Sequence, residues 1–131
     1  MATQPPGTET ILVVDDDAEM LSFVGDALRM HGYTVLQTTD PREALRWARQ
    51  HSGPIHLFVS DVVMPLMQGP ELATKLLAFS PSTRILLMSA YTMAEMAATG
   101  RAFIGKPFTI RSLTDKVRQL LDQSSALTAG A

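Results

Sequence analysis

The run Ile11-Leu12-Val13-Val14, followed at once by Asp15-Asp16-Asp17, constrains this chain more than any other stretch. Four consecutive apolar residues that end abruptly read as a short strand buried on both faces, as in a parallel sheet. The acids then stand at the strand's carboxyl end, the edge where open α/β sheets bind ligands. Three like charges side by side repel one another, and an all-oxygen cluster suits Mg²⁺ or a similar hard ion. Asp17 also fits a plainer role as the N-cap of a following helix, where an acid favours the dipole. That role leaves two acids directly after a buried strand unexplained, so Asp15 and Asp16 are read as a site.

The rest of the chain repeats the pattern. Residues 17–31 place Leu21, Val24, Ala27 and Leu28 on one helical face, and Gly32 is a common helix stop. Tyr33 to Thr38 reads as a second strand. Asp40-Pro41-Arg42-Glu43 starts a helix with a capping acid, proline in the first turn and Glu three residues on, running to about His51 before Gly53-Pro54. Residues 55–60 form a third apolar strand that ends in Asp61. Met64-Pro65 and Gly69-Pro70 bracket a loop. Pro70 opens a helix with Leu72, Ala73, Leu76 and Leu77 facing inward, and Pro81 closes it. Arg84 to Met88 is a fourth strand, ending in Ser89. Residues 92–98 suggest a short helix, Ala102 to Ile104 a brief fifth strand, and Gly105-Lys106-Pro107-Phe108 a turn. A last helix is expected from about Thr109 to Asp122, with Ile110, Leu113, Val117, Leu120 and Leu121 on one face. Five alternations of strand and helix predict an α/β sandwich with a parallel sheet and right-handed crossovers.

A chain of 131 residues with 46% hydrophobic and 18% charged content suits one domain with one core. The expected division is a flexible leader over 1–8, a domain over 9–122 and a flexible tail over 123–131. A net charge of −2 offers no basic footprint, so nucleic acid is not an expected partner of this chain. The absence of cysteine excludes disulfides and thiolate metal sites. The polar leader is no signal peptide and no apolar run reaches the length of a membrane span, so a cytoplasmic location without a membrane partner is the default expectation.

In a parallel sheet the carboxyl ends of all strands share one edge. Asp15 and Asp16 after the first strand, Asp61 after the third, Ser89 after the fourth and Lys106 after the fifth can therefore meet. That set suits phosphoryl transfer. Two acids hold Mg²⁺, and a third carboxylate can act as nucleophile to form an acyl phosphate. The ammonium and the metal neutralise charge on the transferring oxygens, and the hydroxyl can donate a hydrogen bond to them.

The motifs Val14-Asp15-Asp16, Asp61-Val62-Val63-Met64-Pro65, Ser89-Ala90 and Lys106-Pro107-Phe108 closely resemble the receiver domain of two-component response regulators, over about residues 9–122. Each motif alone is weak; four in order, each after a predicted strand, are specific. The resemblance implies a flavodoxin-like (βα)5 three-layer sandwich of strand order 2-1-3-4-5. It implies Asp61 as phosphoacceptor and Asp16 and Asp61 as metal ligands, with Asp15 orienting metal-bound water. It adds the Val63 backbone carbonyl as a further ligand of Mg²⁺ or Mn²⁺. Ser89 matches the switch hydroxyl, Phe103 the switch aromatic, and Lys106 the phosphoryl-binding lysine, joined to Pro107 by a cis peptide bond. The implied partners are a histidine kinase or phosphotransfer protein and a downstream protein target, with room for a homodimer formed on phosphorylation. The implied class is a signalling domain, not an enzyme with its own substrate turnover.

One departure stands out: fewer residues than usual separate Ser89 from Lys106, so a short or irregular fourth helix is expected. This shortening, with Gly69-Pro70-Glu71-Leu72-Ala73 and Leu87-Met88-Ser89-Ala90-Tyr91, is similar to receivers fused to hybrid histidine kinases. Met1 and the polar leader favour a stand-alone protein over an excised module. Val63 and Tyr91 are expected near the path of attacking water, where they would slow hydrolysis.

Other readings fit less well. Asp15-x-Asp17, Ser89 and Lys106 loosely follow the order of a haloacid-dehalogenase-like phosphatase, but Ala18-Glu19 stands where its nucleophile loop continues with Gly-Thr. Asp115 and Asp122 fall on a helix, not after a further strand. A receiver-shaped interaction module that never takes phosphate is disfavoured, because all five polar site residues are present. Gly100 to Lys106 fits the first seven positions of a P-loop, but Pro107 replaces the Ser or Thr that would ligate Mg²⁺, and Ala-Phe-Ile is strand-like. His31, His51 and His56 lack metal-ligand spacing and read as structural. Trp47, Met88, Met93 and Met96 read as packing residues.

Overall fold

Ile11, Leu12, Val13 and Val14 are fully buried in the first strand, β1 (Thr10–Val14), and they alternate between two cores. The computed structural model describes residues 8–90, 95 and 100–130, with side chains described through 123. On one face Ile11 and Val13 pack with helices α1 (Ala18–Met30) and α4 (Ile110–Gly130), through Leu21, Val24, Leu28, Leu113 and Val117. On the other, Leu12 and Val14 pack with α2 (Pro41–Gln50) and α3 (Gly69–Phe79), through Ala44, Leu72, Ala73 and Leu76. Burial on both faces is why β1 carries no polar alternation: either outward side would have faced a helix rather than water.

The other strands are β2 (Thr34–Thr38), β3 (Leu57–Asp61), β4 (Arg84–Ser89) and β5 (Ala102–Gly105). All pairings are parallel, in the order β2-β1-β3-β4-β5. Helices on both faces of this sheet make a three-layer, flavodoxin-like sandwich. The register sets Val14 beside Ser60, Asp61 beside Met88 and Ser89 beside Gly105, so the strand ends meet at one edge.

Local chemistry places the helix ends. Asp17 caps α1, its carboxylate accepting from the backbone N–H of Glu19 at 3.0 Å and of Met20 at 3.4 Å. Asp40 caps α2 by accepting from the Arg42 N–H at 2.8 Å. Such caps contribute about 1 kcal/mol each. Gly32 follows α1 with φ of 92°, a left-handed conformation that favours glycine.

Two boundaries differ from the sequence reading. Ile55 is buried but lies outside the ladder, and the third strand starts at Leu57. The last helix continues to Gly130 instead of ending near Asp122. Nothing between Asp122 and Gly130 stops a helix: there is no proline, and Ala126, Leu127 and Ala129 are strong helix formers. Apart from Glu95, which is helical, the short helix expected over 92–98 lies outside the described residues, as do Tyr91, Met93, Met96 and leader residues 1–7. Among the described residues no helix is long and apolar enough to cross a membrane.

Candidate functional site

Asp15 leaves β1 fully buried, one residue past the ladder. Its Oδ1 accepts from the backbone N–H of Asp17 at 2.9 Å, so one residue positions the acid while its own side chain starts α1. The other oxygen, Oδ2, is buried without a hydrogen-bond partner. Asp61 ends β3, and Asp15, the exposed Asp16 and Asp61 each offer a carboxylate oxygen within 4.8 Å of the others. Asp17 is absent from this group because its carboxylate is engaged at the α1 N-terminus. That removes the Asp15-x-Asp17 pair a dehalogenase-like reading would need.

Lys106 reaches the acids from the end of β5. Its Nζ donates to Asp61 Oδ1 at 2.9 Å and lies 3.7 Å from Asp15 Oδ2. The backbone N–H of Lys106 donates to the carbonyl of Ser89 at 2.7 Å, tying the last two strand ends together. Ser89 is buried at the end of β4. The Lys106–Pro107 peptide bond is cis. Phe103 sits in β5 beside Leu87 and packs, partly buried, against the α2–α3 core. Val63 lies in the loop after β3 with its side chain half-exposed. Residues 102–105 form a strand, so the P-loop-like spelling from Gly100 to Lys106 is no phosphate-cradling loop.

One cation contacts two of the three clustered carboxylates, and the proton affinities reflect it. Burial is the largest influence on Asp15 and raises its carboxyl above the ordinary 3.8. The Asp17 N–H and Lys106 pull it down, while the charges of Asp61 and Asp16 push it further up. Burial alone would lower Lys106, but the hydrogen bond from Lys106 to Asp61 and the charges of Asp15 and Asp61 outweigh it, so the ammonium titrates above 10.5. Burial sets the direction for Asp15, which receives only the longer contact from Lys106, while the short hydrogen bond to Asp61 helps set it for Lys106.

Two contacts at the site were not legible in the sequence. The Ser60 hydroxyl donates to the backbone carbonyl of Asp61 at 2.9 Å. Gly69 packs so closely that a Cβ there would collide with that same carbonyl oxygen and would lie 3.1 Å from its carbon. In the sequence Gly69 brackets a loop and belongs to the wording shared with hybrid-kinase receivers, neither of which signals a close approach to Asp61, and a serine inside an apolar strand carries no signal of its own. The three histidines stay away from the acids. Thr10 donates its N–H to His56 Nδ1 at 3.0 Å, His31 Nδ1 lies 3.1 Å from the Ala27 carbonyl, and His51 Nδ1 lies 2.8 Å from that of Gly53. Trp47 and Met88 pack against the cores.

Comparison with known proteins agrees with this geometry. The family described as response regulator receiver domain matches residues 11–118. The chain is 32% identical over 127 residues to the sensor kinase CckA of Brucella abortus, covering 93% of this chain and 13% of that protein. It is 28% identical over 116 residues to the response regulator receiver protein CpdR of the same organism, covering 85% of this chain and 95% of that one. The solved receiver domain of the hybrid histidine kinase CckA superposes with a TM-score of 0.75 at 35% identity, over 86% of this chain and 98% of that one. The chain spans about half the length of the mycobacterial transcriptional regulatory proteins it matches. Matching family, topology and site together, this chain belongs to the response regulator receiver family, the phosphoacceptor domains of two-component systems and hybrid kinases.

Proposed function

We propose that Asp61 is the residue phosphorylated in this receiver, on Mg²⁺ or Mn²⁺ held by Asp15, Asp16, Asp61 and the backbone carbonyl of Val63. The observation that carries the reading is the meeting of three carboxylates with Lys106 Nζ, 2.9 Å from Asp61. The donor set fits a hard divalent ion: it is all oxygen, over-rich in negative charge, and includes a buried Asp15 oxygen that no protein group satisfies. When bound, the cation supplies charge neutralisation at the phosphoryl oxygens.

The chain's own residues do the rest. An Asp61 carboxylate oxygen attacks phosphorus, forming an O–P bond as the P–N bond to the donor histidine breaks. The leaving imidazole keeps that electron pair and takes a proton from solvent. Lys106 holds the carboxylate in place and then faces the added phosphoryl oxygens. Ser89, one strand away, donates its hydroxyl to them. Movement of Ser89 toward the phosphoryl group would free space for Phe103 to shift, changing the surface offered to a partner. Pro107 fixes the turn that presents Lys106. The donor is a histidine kinase or phosphotransfer protein, and the recipient of the signal is a second protein. The reaction is the domain's own phosphorylation and dephosphorylation, carried out in the cytoplasm, not turnover of a separate metabolite.

Intact mass after incubation with Mg²⁺ and acetyl phosphate tests this. The wild type gains one phosphoryl group, Asp61→Asn gains none while staying folded, and prior chelation removes the gain. Uptake by Asp61→Asn at the wild-type rate would overturn the assignment.

A further inference from the structure

Ser60 carries a role that neither the chemistry of the acids nor the family motifs assign. Its side chain is fully buried, and its hydroxyl spends its hydrogen on the carbonyl of the next residue, Asp61, at 2.9 Å. That carbonyl has little freedom on its other side. Gly69 closes over it, and a Cβ at Gly69 would lie 3.2 Å from Ser60 Oγ as well as colliding with the carbonyl oxygen. The Gly69 N–H donates to the Val62 carbonyl at 2.9 Å, and the Val62 N–H donates to the Met88 carbonyl at 3.0 Å. The peptide planes on either side of Val62 are thus held by a hydroxyl, a glycine and a neighbouring strand.

These planes set two things at once. The plane after Asp61 fixes the backbone torsion of Asp61, and so the direction in which its carboxylate leaves the strand. The next planes fix where the Val63 carbonyl points. We infer that Ser60 is a positioning residue for the site: its hydroxyl locks the Asp61–Val62 peptide so that the Asp61 carboxylate and the Val63 carbonyl converge on one cation. The inference rests on the proposed role of that site. Without the hydroxyl the Asp61 carbonyl, closely covered by Gly69, loses that donor, and the peptide turns to find another. Ligands held by such outer contacts lose affinity when the contact is removed, typically about 10-fold to 100-fold.

The test uses the full chain and three substitutions. Ser60→Ala removes the donor. Ser60→Cys nearly keeps the shape with a much weaker donor. Ser60→Thr keeps the hydroxyl. Calorimetry gives the Mg²⁺ dissociation constant, thermal melting reports folding, and intact mass gives the rate of uptake from acetyl phosphate at saturating Mg²⁺. The expected result is a Mg²⁺ constant raised roughly 10-fold in Ser60→Ala, a smaller rise in Ser60→Cys, and restoration in Ser60→Thr, with phosphoryl uptake slowed in the same order. A residue that only supported packing would lower the melting temperature and leave the constant of the folded protein unchanged. If Ser60→Ala does not fold, Ser60→Cys decides. A wild-type constant in Ser60→Ala or, failing that, in Ser60→Cys would overturn the inference, as would an equal loss in Ser60→Thr. In either case a phosphorylated wild type would leave the assignment of Asp61 standing. A wild type that binds no Mg²⁺ overturns that assignment and this inference together.

Discussion

At the amino end of the sheet the Arg118 guanidinium meets Glu9 at 2.7 Å, Asp122 at 2.9 Å and the Tyr33 hydroxyl at 3.3 Å. At the carboxyl end the Lys106 ammonium meets Asp61 at 2.9 Å and stands 3.7 Å from Asp15. Each end thus has one long cationic side chain reaching several acceptors, yet the outcomes differ. Arg118 offers five donors in a planar fork and serves three partners with them. The hydrogen bond to Glu9 is the largest influence on its proton affinity and, with Asp122, holds the guanidinium above its ordinary range despite burial. Lys106 is a compact point charge and leaves Asp15 Oδ2 without a hydrogen bond. The Arg118 cluster is satisfied within the chain and joins the segment before β1, the residue before β2 and α4. The carboxyl end keeps an excess of carboxylate oxygen that only something from outside the chain can neutralise. Stability and function are thus separated along the same strands.

Truncation should separate the two ends most sharply. Arg118→Ala removes the guanidinium from Glu9, whose side chain is 13% exposed, and from the Tyr33 hydroxyl. We expect a loss of about 2–3 kcal/mol in urea unfolding, discounted for the partial exposure of the guanidinium, and an unchanged Mg²⁺ constant. A stability loss below about 0.5 kcal/mol would reduce this network to an ordinary surface ion pair.

Gly69→Ala comes next, with an expected loss of about 1–2 kcal/mol, because the added methyl meets backbone and not a movable side-chain end. Gly25→Ala supplies the contrast. Its Cβ would meet the far end of the Gln37 side chain, which can swing away, and the gain in helix propensity offsets what is lost. Equal melting temperatures for the two variants would show that the loop after Asp61 yields more easily than its contacts suggest.

Asp15→Asn should reverse the sign seen at Arg118. Removing a buried like charge should stabilise the metal-free protein by about 1 kcal/mol. Mg²⁺ at 100 times its dissociation constant should add about 2.7 kcal/mol to the wild type and far less to the variant. Destabilisation of metal-free Asp15→Asn would break the comparison, since the carboxylate cluster would then be as satisfied as the Arg118 cluster.

The smallest effect concerns pH. The folded state raises the Asp15 carboxyl above 3.8, so it binds that proton more tightly than the unfolded chain does. This group's contribution to stability is therefore fully present below 3.8 and is lost as pH rises through the higher folded value. Mg²⁺ competes with the same proton. The rise in melting temperature on adding Mg²⁺ should grow with pH across that window and then level off. A rise that does not change with pH anywhere from 3.8 upward would count against Asp15 as part of the metal site.

The architecture was open to reading from the residues because each element buries a face with a period of its own. Ile11 to Val14, Leu86 to Met88 and the helical spacing of Leu113, Val117 and Leu120 announce strands and a helix without knowledge of their neighbours. Asp17 and Asp40 announce helix starts because capping involves only the next few residues. The acids were legible for a related reason: a charge directly after a buried strand has no local explanation. Once the sheet is parallel, Asp15, Asp16, Asp61, Ser89 and Lys106 must share an edge.

What the residues alone did not disclose depends on distances between segments far apart in the chain. That Lys106 bonds Asp61 and not Asp15, that Asp15 Oδ2 is left over, and that Gly69 closes on the Asp61 carbonyl are consequences of how β1, β3 and β5 stack and how α3 enters. The pairing of Glu9 with Arg118 spans 109 positions, and nothing in either segment names the other. Pattern and propensity are local and so survive in one dimension. Partner choice among like-charged groups is settled by differences of about one ångström, which exist only once the chain is folded.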